Sequence, residues 1–141
     1  MIVQTACTIF KENLLKGLEN FNTGSPYTYK IALYNANADL NENTTTYTSV
    51  DEVSGGGYTA TGENLTPTGL SLDLATNTAY VSFNNVTWSP ASFTCRGALV
   101  YNSTTGAACF VLNFGSDKTA TSSFTVQFPT ADASNAIIRV A

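Results

Sequence analysis

The hydrophobic spacing of this chain changes once, at Pro26, and that change decides what it can fold into. Before it, Phe10, Leu14, Leu18 and Phe21 recur at intervals of four, four and three, the spacing that lines one face of a helix. Thr8 stands where an N-cap hydroxyl is wanted, and Gly24-Ser25-Pro26 stops the pattern. The reading is one helix over about residues 8–21. After Pro26 the period is two. Tyr27, Tyr29, Ile31 and Leu33 alternate with Thr28, Lys30 and Ala32, as in a strand with one buried face.

The same rhythm runs to the end of the chain. Leu70, Leu72 and Leu74 alternate with Ser71 and Asp73; beyond a Thr76-Asn77 turn, Ala79, Val81 and Phe83 follow suit. Pairing 72 with 81 puts all six apolar residues on one face, which predicts a hairpin with a buried side. Val86 and Trp88 fall out of phase with Val81 and Phe83, so a bulge is expected at Asn84-Asn85. Residues 93–101 and 107–114 read as a second hairpin, turning over Ser103-Thr104-Thr105-Gly106. Phe124, Val126 and Phe128 make a strand that Pro129 ends, and residues 136–140 close the fold with Ile138 and Val140 facing in. About seven short strands with regular turn signals predict an all-β protein, a β-sandwich or barrel-like fold. The 141 residues fit one domain, with an N-terminal arm and helix over 1–26 and the β-sandwich over 27–141.

One stretch lacks this order. Residues 35–62 form a long connection ending in Gly55-Gly56-Gly57, and loops of that length are usually functional or mobile. Within it, Ser49-Val50-Asp51-Glu52 fits a capping box, which predicts a single helical turn.

Polarity comes from Thr, Ser and Asn, 48 of the 141 residues, and only 11% of the chain is charged. Thr suits pleated surface while Asn and Ser suit turns. The net charge is −4, and the six bases are scattered, which argues against nucleic acid, whose phosphates need clustered cations. No run approaches the roughly 18 apolar residues of a membrane span. The start, Met-Ile-Val-Gln-Thr-Ala-Cys, lacks the basic and apolar regions of a signal peptide, so synthesis in a cytoplasm without export is expected.

Chemistry is constrained by what is missing. With no histidine, no Ser–His or Cys–His nucleophile can be assembled. Three dispersed cysteines offer no CxxC zinc pair. Their hairpin register separates Cys95 from the partner of Cys109 by four residues, roughly 13 Å of strand, beyond the roughly 4.4–6.8 Å of a disulfide; all three are expected to be buried thiols. Gly55-Gly56-Gly57 is no phosphate loop. Asp51 and Glu52 are the candidate carboxylate pair for glycoside hydrolysis, but neighbours on a helical turn diverge and suit the positive end of a short helix. Residues 39–50 mimic a calcium loop, yet Thr44 stands where Gly is needed and Val50 where Glu is needed. The aromatics Tyr27, Tyr29, Trp88 and Tyr101 lie on alternating strands and are expected in core or interface packing.

Four stretches together carry a resemblance: Asp51-Glu52-Val53-Ser54-Gly55-Gly56-Gly57-Tyr58, Cys95-Arg96-Gly97-Ala98-Leu99-Val100-Tyr101-Asn102, Asn113-Phe114-Gly115-Ser116-Asp117-Lys118, and the run from Phe124 to Pro129 continued by Ile137-Ile138-Arg139-Val140. Over residues 27–141 the chain resembles small all-β structural proteins of tailed bacteriophages, similar to head decoration (cement) proteins. The resemblance implies a non-enzymatic virion protein without cofactor or metal. It would be made in the host cytoplasm and bound to the outer face of the head, with the major capsid protein lattice and further copies of itself as partners. A tail or fibre component binding a host receptor or glycan is the alternative, and a carbohydrate-active enzyme a more distant one. The expected capsid contacts are the apolar start and the long connection: Met1, Ile2, Val3, Ile9, Tyr47, Val50, Val53 and Tyr58.

Overall fold

A computed structural model describes residues 1–141. In chain order the elements begin with β1 (Thr5–Ala6), α1 (Thr8–Lys16), β2 (Tyr29–Tyr34), β3 (Glu63–Leu65) and β4 (Pro67–Asp73). They continue with β5 (Thr78–Phe83), β6 (Val86–Trp88), β7 (Thr94–Asn102), β8 (Ala108–Thr119), β9 (Phe124–Val126) and β10 (Ile138–Val140). The chain is all-β with one helix. Its strands form three antiparallel sheets in a sandwich-like arrangement: five strands in the order β1-β8-β7-β2-β3, three in the order β10-β5-β4, and the pair β6-β9.

The helix is shorter than its spacing predicts. It ends at Lys16 because Gly17 takes a left-handed backbone (φ 72°). There the Gly17 N–H donates to the Leu14 carbonyl and the Leu18 N–H to the Asn13 carbonyl, the paired bonds of a Schellman cap. Thr8 is the first helical residue; the N-cap is Cys7, which makes no side-chain cap bond. The expected apolar stripe also splits. Phe10 is buried and Phe21 packs on Tyr29 and Phe83, while Leu14 and Leu18 stay partly in solvent.

The hairpin β7-β8 is the spine, and β2 lies beside β7 with Ile31 opposite Val100 and Leu33 opposite Ala98. β2 is buried on both faces apart from Lys30, not on alternate residues, because it is a central strand covered on each side. Burial from both sides turns a half-apolar pattern into a continuous one. Twenty-nine buried residues, from Ile2 to Val126, form one core. Phe83 joins the layers: its ring meets Tyr29 of β2, Phe110 of β8 and Phe128. Trp88 and Phe124 of the β6-β9 pair close the far end over Tyr58 and Phe93.

The N-terminal arm belongs to this core. Ile2 bridges Leu40 in parallel and β1 pairs with β8, Thr5 opposite Val111. Ile2 also packs so closely on Gly97 that a Cβ there would lie 2.9 Å from its Cγ2.

Other expectations shift by small steps. The bulge at Asn84-Asn85 is instead a crossing between sheets, from β5 to β6. β9 ends at Val126, and Phe128 follows as a partly buried residue outside it. The β7-β8 register carries an irregularity at Val100/Tyr101, so Leu99 faces Val111 and not Cys109. Cys7, Cys95 and Cys109 are all free and buried. Burial pushes the Cys7 thiol up to about 11 and that of Cys95 to about 12.

Candidate interaction surface

The long connection is a tied loop. Its helical turn does not form: Asp51 takes a left-handed backbone (φ 61°) and Glu52 bridges Tyr34 as isolated β-structure. Glu52 holds the loop together. Its carboxylate accepts the Tyr47 and Tyr58 hydroxyls at 2.6 Å each and the Thr61 N–H at 2.8 Å. The Tyr58 oxygen in turn accepts the Leu33 N–H of β2 at 2.9 Å, and the Tyr34 hydroxyl donates to the Thr48 carbonyl. Burial, and for Tyr47 and Tyr58 the hydrogen bond to Glu52, drives the pKa of these phenols far above its usual value. They are structural donors at any physiological pH. Glu52 is thus a loop anchor, and its neighbour Asp51 does not share its hydrogen-bond network.

Another acid, Glu19, is buried and ties the segment after the helix to the sheet. Glu19 Oε2 accepts the Tyr29 hydroxyl at 2.8 Å and the Asn102 side-chain amide at 3.3 Å, while its other oxygen has no partner. Desolvation dominates these bonds and raises its pKa above the usual carboxylate value.

The eight expected contact residues therefore divide. Ile2, Val53 and Tyr58 are buried in the chain's own core and have no surface to offer. Ile2 fills the space beside Gly97, the Val53 N–H bonds the Leu33 carbonyl, and Tyr58 is held by Glu52. Ile9 and Tyr47 are half-buried, Tyr47 stacked on Tyr101. Met1, Val3 and Val50 are exposed, Val50 remote in sequence from the other two, with Asp39 beside the Met1 amine at 3.7 Å.

The main apolar surface lies elsewhere, on the three-stranded sheet. Leu70, Leu72 and Leu74 are 50%, 61% and 80% exposed, and Val140 is 60% exposed. The expected pairing of 72 with 81 is replaced by Leu72 opposite Ala79 and Asp73 opposite Thr78. Two causes combine. The turn takes four residues, 74–77, because the Asp73 carboxylate accepts the Ala75 N–H and the Thr76 hydroxyl and Asn77 adopts φ 54°. Gly69 (φ 68°) then sits in an irregularity between Thr68 and Ser71, a bulge that re-aims the strand. No residue of β4 joins the core. Val140, expected to face inward, pairs with Ala79, so Leu72, Ala79 and Val140 make a row across all three strands. Asp73-x-x-Thr76 and Gly69 were the sequence signals for this arrangement.

Beyond β10 lies a groove of about 550 Å³, walled by α1, β1, β8 and the residues around β10. Ten of its fourteen lining residues are hydrophobic, and Lys11 and Arg139 are its only charged side chains. That volume falls within the range of roughly 300–1,000 Å³ typical of binding pockets. No three His, Cys, Asp or Glu side chains converge as a metal site requires, and no helix is long and apolar enough to cross a membrane. Comparison of the chain with protein-family models, characterised proteins and solved structures returns no match.

Proposed function

We propose that this protein is a non-enzymatic structural module that binds other protein on the surface of an assembled particle. The role is the one implied by its resemblance to bacteriophage head decoration proteins, with the capsid lattice as its setting and the virion exterior as its location. The observation that carries the reading is the outward row Leu70, Leu72 and Leu74, continued by Val140. Contiguous apolar side chains left in solvent on a rigid sheet mark a surface meant to be covered by protein. The tied loop supports the same reading, since Glu52 and its tyrosines spend their hydrogen bonds on rigidity.

The test is electron cryomicroscopy of particles from cells in which the gene is expressed, with the chain located by a bound antibody fragment. Ordered copies over the head are the expected result. A label confined to the tail or fibres, with glycan binding by the purified protein, would replace this role with receptor binding. Absence of the chain from every particle overturns the proposal.

A further inference from the structure

We infer that the partner of the leucine-bearing strand is a second copy of this chain, and that β4 of one copy docks in the groove beside β10 of the next. The inference rests on the reading of that row as an interaction face and names its occupant. It starts from the sheet order. In β10-β5-β4 both outer strands are edges, so β4 and β10 each present unpaired backbone donors and acceptors. The two edges differ in form. β4 projects Leu70 and Leu72 into solvent, with Leu74 just beyond them in the turn, whereas β10 forms one wall of an apolar groove, with Phe10 and Leu14 of α1 and Phe110 of β8 as the others. One edge is a ridge and the other a slot.

The row across the sheet already points from one to the other. Leu72 lies opposite Ala79, and Ala79 opposite Val140, which lines the groove. A strand added beside Val140 extends that row, and a strand with leucine at every second position supplies side chains for the apolar wall. The opposite edge, β1, faces the same groove from the five-stranded sheet. An extended segment laid there therefore finds open backbone on both walls, the mode of strand addition.

Charge selects this occupant. Lys11 and Arg139 are two of only six basic residues in a chain of net charge −4, and neither belongs to an ion pair within the chain. Arg139 donates to the Ser134 carbonyl, and Asp132, whose pKa is lowered chiefly by its hydrogen bond from the Asn135 side chain, feels the Arg139 charge as a smaller contribution. The segment 67–74 carries one acid, Asp73, and no base. An apolar strand with one carboxylate thus meets an apolar slot with two cations.

Such a contact joins unlike surfaces, so repetition produces a ring or an open chain and not a closed pair. The exposed row on each copy is covered by its neighbour, and copies spread over a lattice become linked to one another.

Sedimentation velocity of the purified full chain over a wide concentration range tests the idea. The expected result is a weight-average sedimentation coefficient that climbs with concentration. Leu72→Asp, a change at an exposed position, weakens the association by about tenfold or more by facing a charge with an apolar wall. Lys11→Asp with Arg139→Asp does the same by repelling Asp73. The decisive sample mixes the two variants: each is defective at a different surface, so together they form a one-to-one dimer and stop there. A chain that stays monomeric at every concentration overturns the inference, as does association that both variants preserve or a mixture no better than its components. Binding of the same variants to particles is scored separately. Particle binding by a monomeric wild-type chain refutes this inference and leaves the proposed function standing, whereas self-association without particle binding does the reverse.

Discussion

The central strands of the five-stranded sheet and the edge strand β4 of the three-stranded sheet both carry apolar residues and treat them in opposite ways. In β2 and β7 nearly every side chain is buried, including Tyr29, Tyr34 and Tyr101, whose hydroxyls all find partners. In β4 no residue is fully buried, and its leucines are among the most exposed apolar side chains of the chain. Apolar identity is therefore a poor guide to burial here. Position within the sheet decides it: central strands covered on two faces consume everything, while an edge strand past a bulge consumes nothing.

Substituting one leucine in each sheet gives the largest expected contrast. Leu99→Ala, at the centre of β7 with no exposure, should cost about 2–5 kcal/mol in denaturant unfolding, the range for emptying a packed site. An effect below about 1 kcal/mol would show that the central sheet is not the stabilising one.

The loop anchor gives the next effect. Glu52→Ala leaves two tyrosine hydroxyls and the Thr61 N–H without their acceptor, and should cost about 1–3 kcal/mol. Limited proteolysis should then find new cuts within residues 35–62. If cleavage stays where it was, the loop is held by something other than Glu52.

A smaller effect is a slope with pH. The folded protein holds the Glu19 proton more tightly than the unfolded chain does. Its contribution is therefore fully present below the unfolded value of about 4.3 and is lost as pH rises through the raised folded value. Glu19→Gln should flatten unfolding free energies measured at successive pH values from the unfolded value up through the raised folded one. An unchanged slope would assign the pH dependence to other groups.

Smallest of all is Leu72→Ser, which should move stability by no more than about 0.5 kcal/mol. A larger loss in dilute protein would mean that β4 supports the monomer after all, and would erase the contrast between the sheets.

The alternation that made the fold class readable says which residues share a face, and nothing about which face is covered. The change of period at Pro26, the turn at 103–106 and the free cysteines were legible because each rests on local spacing. The leucine face was not, since Leu70, Leu72 and Leu74 look like core until Gly69 and the Asp73 turn have shifted their pairing by two residues. The helical spacing outruns the helix for a related reason. Phe21 keeps the helical spacing only by coincidence, reaching the core from a loop beyond Gly17. Glu52 fits a capping box by spacing, yet its partners Tyr58 and Thr61 come from the other side of the glycine run. Long-range partnership of that kind leaves no periodic trace.

The pairing of Thr5 with Val111 also sets a timetable. Chains emerge from the ribosome N-terminus first, at roughly 5–20 residues per second. The opening residues therefore wait roughly 5–20 s before the strand they join has been made. Throughout that interval Ile2 and Cys7 have no core to enter, and the five-stranded sheet lacks the edge that borders the groove. Residues 2–7 are made before most of the core and are among the last to be secured.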